Sequence, residues 1–254
     1  MTQVAAQLYT LRAQMQTPED IDRGFARLAA DGWKAAQASG LGPIPAADLK
    51  AIADRHGIAI VATHISLAAL QNDLDTVLRD HEALDCPYIG LGAMPWDYAT
   101  TEDGYRRFAA LINPIAERIR AAGRTFVYHN HNFEFARFGA RTGMDILFEE
   151  FSPAVQFEPD TYWVQAGGGD VLGWLAKLAG RIDVVHFKDM VYHPDEKQAI
   201  MAEVGEGNLR WPAIIAACRA ASVRWHIVEQ DVCRRDPFDS LKISLENLKA
   251  MGLE

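Results

Sequence analysis

Gln3-Val4-Ala5-Ala6-Gln7-Leu8 is a short, mostly apolar run, and Tyr9-Thr10-Leu11-Arg12 follows it without a glycine. A first strand of this kind can open either a doubly wound sheet or a closed barrel. The doubly wound fold usually carries a glycine fingerprint directly after that strand, where backbone must come close to a phosphate. Its absence here favours the barrel. Seven more apolar runs follow: Trp33–Gln37, Ile58–Thr63, Tyr88–Leu91, Thr125–His129, Val155–Glu158, Ile182–Phe187 and Trp225–Glu229. Longer amphipathic segments separate them with no polar linker or low-complexity break, which implies parallel strands joined by crossover helices. Eight such units in 254 residues suit one (β/α)8 TIM barrel, a single domain over residues 1–254.

The helices announce their starts. Thr17-Pro18-Glu19-Asp20 offers a capping hydroxyl, a proline at the first helical position and an acid in the first turn, and Asp236-Pro237-Phe238-Asp239 repeats the device before the last helix. Ile21, Phe25 and Leu28 recur at three- and four-residue steps, as do Phe238, Leu241, Leu245 and Leu248, so each of these helices has one face to bury.

Composition narrows the function. With 49% hydrophobic and 23% charged residues the chain can bury a substantial core, which excludes a disordered or fibrous protein. No apolar run approaches the roughly 18 to 20 residues that cross a bilayer, and Met1 to Thr10 lacks a basic start followed by an apolar stretch. The expectation is a soluble, cytoplasmic protein with no membrane partner. Cys86, Cys218 and Cys233 have no C-x-x-C spacing, so neither a disulfide framework nor a thiolate zinc site is indicated. A net charge of -9 repels phosphate backbones and argues against nucleic acid. A small sugar-like molecule is the expected partner, and association through exposed helices into a homo-oligomer is compatible with a barrel of this size.

Barrels of this kind build their active sites at the carboxyl ends of the strands. Strand five runs into Tyr128-His129-Asn130-His131-Asn132-Phe133-Glu134-Phe135, strand six into Phe157-Glu158-Pro159-Asp160-Thr161-Tyr162-Trp163, strand seven into Val185-His186-Phe187-Lys188-Asp189 and strand eight into Val228-Glu229-Gln230-Asp231. Side chains alternate across a strand, so His129 and His131, Glu158 and Asp160, or His186 and Lys188 can share a face. Carboxylates gathered in a half-buried mouth repel one another unless a cation sits among them. Oxygen ligands with one or more imidazoles suit a divalent ion: manganese, magnesium, cobalt or zinc.

Together with Val204-Gly205-Glu206-Gly207-Asn208, these strand ends resemble the xylose isomerase-like barrel superfamily of sugar phosphate isomerases and epimerases, which also includes ketose 3-epimerases, inosose dehydratases and endonuclease-four-type nucleases. The resemblance covers the whole chain. It implies one metal ion held by Glu134, Asp160, His186 and Glu229. At strand five the sequence departs from the ketose epimerases. His129 stands about where their first metal glutamate falls and Glu134 comes five residues later, so Glu134, His129 and His131 all compete for that place.

The implied chemistry is removal of a carbon-bound proton beside a carbonyl, with a metal stabilising the enediolate as a Lewis acid. Glu134 and Glu229 are the expected proton carriers, Lys188 the oxyanion partner and His131 a hydroxyl relay, with His129, Trp163 and His64 as substrate contacts. The leading expectation is an isomerase or epimerase of a sugar, sugar phosphate or polyol derivative. A lyase or dehydratase acting on a keto-sugar, keto-glycoside or inosose uses the same apparatus and is the rival. Glu158 is assigned a structural role. His226 is expected to pack within its strand, and His56, His81 and His193 to be solvated. Gly167-Gly168-Gly169-Asp170 and Gly205-Glu206-Gly207-Asn208 read as tight turns.

Overall fold

Caps and apolar stripes act as expected at both ends of the chain. In the computed structural model, which describes residues 3–253, the Thr17 hydroxyl accepts from the Asp20 N–H to begin the helix Pro18–Asp31. The Asp236 carboxylate accepts from Phe238 and Asp239 to begin Pro237–Ala250. Each helix buries its predicted stripe, Ile21, Phe25 and Leu28 in one and Phe238, Leu241, Leu245 and Leu248 in the other.

Eight parallel strands form the barrel: β1 (Gln3–Gln7), β2 (Ala35–Ala38), β3 (Ala59–His64), β4 (Tyr88–Leu91), β5 (Thr125–His129), β6 (Val155–Glu158), β7 (Val184–Phe187) and β8 (Trp225–Val228). Each pairs with its sequence neighbour from β1 through β6, while β7 pairs with β8 and β8 with β1. The barrel is nearly closed. At the seam between β6 and β7 a single parallel bridge joins Asp160 to His186, supported by the His186 N–H donating to the Pro159 carbonyl at 2.9 Å. The loosest seam of the barrel thus lies between two predicted site residues.

Alternation along the strands explains where polarity enters the interior. Ala5, Ala35, Val127, Val184 and Ile227 belong to a small apolar cluster inside the barrel. Two residues further along the same strands stand Gln7, Gln37, His129, His186 and Glu229, all buried. The larger apolar core lies between the strands and the ring of helices.

Three strands begin later than the sequence suggests, β3 by the single residue Ile58 and two others by two residues. Trp33 closes the preceding helix, its N–H donating to the Leu28 carbonyl, and β2 starts at Ala35; β7 starts at Val184, not Ile182. The loop after β7 forms an antiparallel hairpin, Asp189–His193 with Gln198–Ala202, which the sequence reading does not anticipate. The turn after it depends on Asp189. The Asp189 carboxylate accepts from the N–H groups of Met190, Gly205, Gly207 and Leu209 and from Trp211 Nε1. Gly207 has to be glycine there, because a Cβ would lie 2.3 Å from Asp189 Oδ1. His81, expected in solvent, is buried: its Nδ1 meets the Val77 carbonyl at 2.6 Å and its Nε2 the Thr63 hydroxyl at 2.7 Å. His226 packs as expected, against Phe187. Among the described residues no helix is long and apolar enough to cross a membrane.

Candidate active site

His129, Asp160, His186 and Glu229 each offer one donor atom, and all four atoms lie within 4.8 Å of one another. Hydrogen bonds fix which imidazole nitrogens carry lone pairs. His129 Nδ1 lies 2.8 Å from the Gly92 carbonyl, which can only accept, so Nδ1 carries the hydrogen and Nε2 turns a lone pair toward Asp160 Oδ2 at 3.3 Å. His186 Nε2 lies 2.7 Å from Gln37 Oε1. The other end of that amide donates to Glu158 Oε1 at 2.9 Å, which identifies the Gln37 oxygen. His186 therefore presents Nδ1 to Glu229 Oε2 at 3.0 Å. Asp160 caps the short helix Thr161–Ala166 through Oδ1, which accepts from the Trp163 N–H at 2.8 Å and leaves Oδ2 for the group.

Two imidazole lone pairs and two carboxylate oxygens facing one another in a buried space require positive charge. Lys188 supplies part of it. Its Nζ lies 3.1 Å from Asp160 Oδ2, 2.8 Å from Glu229 Oε2 and 2.8 Å from Asp231 Oδ2. Burial opposes its charge, but the three carboxylates outweigh burial and hold the ammonium well above its ordinary value. Burial also opposes charge on His186, yet Glu158 and Glu229 push the ring up to about 10, which marks how strongly this space favours positive charge. Burial would raise Asp160 and Glu229, but Lys188 and the histidines hold both down as carboxylates. This donor set fits manganese, magnesium, cobalt or zinc.

A second layer orients the first. Gln7 Nε2 donates to Gln37 Oε1 at 2.8 Å, and His64 Nε2 lies 2.7 Å from Glu158 Oε2. The His64 ring stacks on His186 with centroids 5.5 Å apart. Glu158 contacts His64, Gln37 and His186, and with the two histidines it makes a second group of possible metal donors that shares His186 with the first. Gln7 and Gln37 are missed by the sequence reading. Their signal is a glutamine standing two residues after an inward alanine in an otherwise apolar strand.

Glu134 is the one expected ligand that the structure keeps out of the group. Its Oε1 accepts from the Tyr128 hydroxyl at 2.5 Å and its Oε2 from the His131 N–H at 2.9 Å. Both oxygens are therefore occupied in tying the turn after β5 back onto its own strand. Glu134 is fully buried, and burial, opposed by these hydrogen bonds, pushes its carboxyl up to about 7. His129 occupies the place that Glu134 was expected to fill.

A cavity of about 520 Å³ opens over the group, and His64, His129, His131, Trp163 and Glu229 all line it. The expected substrate contacts are thus brought together there, although His129 faces the donor group as well. The His131 ring stacks on Phe133 and lies 5.2 Å from Trp163. Burial, with help from His129 and Lys188, lowers it to about 3, so it stays neutral. Arg12 and Asp231 also line the cavity, and the sequence reading gives neither a role.

A family model described as "Xylose isomerase-like TIM barrel" matches residues 23–251. No curated protein matches the chain. Among solved structures, a sugar phosphate isomerase/epimerase from Parabacteroides distasonis superposes with a TM-score of 0.82 at 21% identity, over 98% of this chain and 94% of that one. An L-ribulose 3-epimerase gives a TM-score of 0.74 at 18% identity, over 99% and 94%. A probable 3-DHS dehydratase from Bacillus anthracis gives 0.73 at 15% identity, over 98% and 99%. At these identities the likeness is one of fold.

Proposed function

The chain belongs to the xylose isomerase-like TIM barrel family, and from that premise we propose that it is a divalent-metal-dependent isomerase or epimerase of a sugar, sugar phosphate or polyol derivative. One observation carries the proposal: the buried donor group of His129, Asp160, His186 and Glu229 borders, through His129 and Glu229, a cavity large enough for a small molecule. A divalent ion held there supplies Lewis-acid stabilisation of the charge that develops on a carbonyl and its neighbouring hydroxyl.

The protein side chains do the rest. Glu229 uses Oε2 in the donor group, while its Oε1 has no hydrogen-bond partner among the described residues; this oxygen takes the carbon-bound proton. With Glu134 tied to Tyr128 and His131, the protonated Glu229 returns its proton to the neighbouring carbon, and the neutral His131 ring at the cavity wall relays a proton between the two substrate oxygens. The Lys188 ammonium, fully buried with Asp160, Glu229 and Asp231 around its three N–H groups, holds Asp160 and Glu229 as carboxylates from behind the cavity wall and does not meet the oxyanion expected of it. Trp163 and His64 position the substrate.

The position of Glu134 also favours a second reading. One carboxylate base beside an imidazole donor suits β-elimination, in which the histidine protonates a leaving hydroxyl or alkoxide. A keto-sugar, keto-glycoside or inosose would then be the substrate of a lyase or dehydratase. Incubating the metal-loaded chain with a panel of keto-sugars and keto-glycosides in deuterium oxide separates the two. An isomerase incorporates deuterium at one carbon without losing mass. A lyase releases water or an alcohol and creates an ultraviolet-absorbing conjugated carbonyl. Neither outcome from a chain that demonstrably holds its metal would refute both readings.

A further inference from the structure

Several cations in the loops at the carboxyl ends of the strands are matched with carboxylates, but Arg12, the one lysine or arginine that lines the cavity, is not. Lys188 sits among Asp160, Glu229 and Asp231, Arg234 pairs with Glu196, and Arg235 pairs with Glu203 and Glu206. Arg12 lines the cavity, yet among the described residues no carboxylate oxygen lies within 4.0 Å of its guanidinium. Neutral acceptors hold it instead. Nη1 donates to the Tyr9 carbonyl at 2.9 Å and Nη2 to the Asp231 carbonyl at 2.9 Å, while the guanidinium lies over the Tyr9 ring, 4.3 Å from its centroid. The side chain is thus clamped between the segment after β1 and the end of β8 with its charge left unneutralised. Asp231 is not the missing partner, because its carboxylate is engaged by Lys188 Nζ at 2.8 Å.

An arginine has five N–H donors, and the two carbonyl contacts leave donors over. A fixed, half-buried guanidinium beside a cavity, in a chain whose net charge is -9, is arranged to receive an oxyanion from outside the protein. We propose that Arg12 binds a carboxylate or phosphate group of the substrate, at a point on the cavity wall separate from the four metal donors. The assignment rests on the isomerase reading and narrows its substrate class to an acidic sugar or polyol derivative.

The test needs no knowledge of the full substrate. Inorganic phosphate, and separately acetate, are titrated into the full chain with and without magnesium, following the arginine Nε–H resonance that disappears in Arg12→Gln. The expected result is a saturable shift of that resonance by at least one anion. Calorimetry on the same pairs should then show binding weakened about 10- to 100-fold in Arg12→Gln, the range of one or two charge-assisted hydrogen bonds. Arg12→Lys, which keeps the charge, should retain part of the affinity. Phosphate binding alone indicates a sugar phosphate; acetate binding of similar strength indicates a sugar acid. No saturable shift with either anion, or wild-type affinity in Arg12→Gln, would overturn the proposal. Failure of the isomerase reading is seen separately, as anion binding at Arg12 in a metal-loaded chain that exchanges no carbon-bound proton.

Discussion

Replacing Glu134 by glutamine separates the two roles that this residue could have. In the wild type the carboxyl is pushed from its ordinary 4.5 to about 7, because burial disfavours the charged form more than Tyr128 and His131 favour it. A folded-state value above the unfolded one gives stability that is complete below pH 4.5 and is lost as the pH rises through about 7. The difference is worth about 3 kcal/mol. Glutamine does not ionise, and its geometry suits the site: Oε1 can accept from the His131 N–H while the amide donates to the Tyr128 oxygen. Weaker hydrogen bonds cost about 1 kcal/mol at any pH. At about pH 8 the variant should therefore be more stable than wild type by about 2 kcal/mol, a melting temperature higher by about 4 to 8 °C, while at about pH 4 it should be slightly less stable. Thermal unfolding at both pH values, with metal per chain measured on the same samples, checks this. A stability difference that does not change sign with pH, or loss of bound metal in Glu134→Gln, would refute the view that Glu134 ties the turn after β5 and is no ligand.

Other outcomes follow from single contacts. Gly207→Ala would set a methyl group 2.3 Å from Asp189 Oδ1 and 2.5 Å from the Met190 carbonyl. The turn after the β7 hairpin must then shift, at about 1 to 3 kcal/mol, read as a fall of about 2 to 12 °C in melting temperature. His226 is buried, and burial lowers its ring from 6.5 to about 4. Its unfolded form therefore binds more protons between those values, and the stability it gives above pH 6.5, about 3 kcal/mol, is lost as the pH falls toward 4. His226→Leu should flatten that part of the acid-unfolding curve measured in urea, and an unchanged curve would count against the assignment.

How far the sequence predicts the molecule depends on whether a feature is local. The order of the eight strands, capping at Thr17 and Asp236 and the buried helix stripes are set by neighbouring residues, and the structure has them as expected apart from late starts at three strands. Asp160, His186 and Glu229 are legible because each follows an apolar strand whose carboxyl end meets the others at the barrel mouth. Glu134 is not. The chain turns back on itself between Asn132 and Ala136, with the Phe135 N–H donating to the Asn132 carbonyl, so spacing along the sequence does not give its direction. His81 lies in a polar stretch, but its partner is the Thr63 hydroxyl on β3, a contact between elements that no local pattern encodes. The Asp189 clasp, whose partners reach Trp211, is hidden for the same reason.

The central claim is that His129, together with Asp160, His186 and Glu229, holds one divalent ion. Elemental analysis of metal per chain, after loading with manganese and removal of free ion, tests it most directly on wild type, His129→Ala and Asp160→Ala. The account predicts about one equivalent in the wild type and little in either variant, since each loses one of four donors from a buried site. Full retention of metal in His129→Ala, or no bound metal in the wild type, would contradict it.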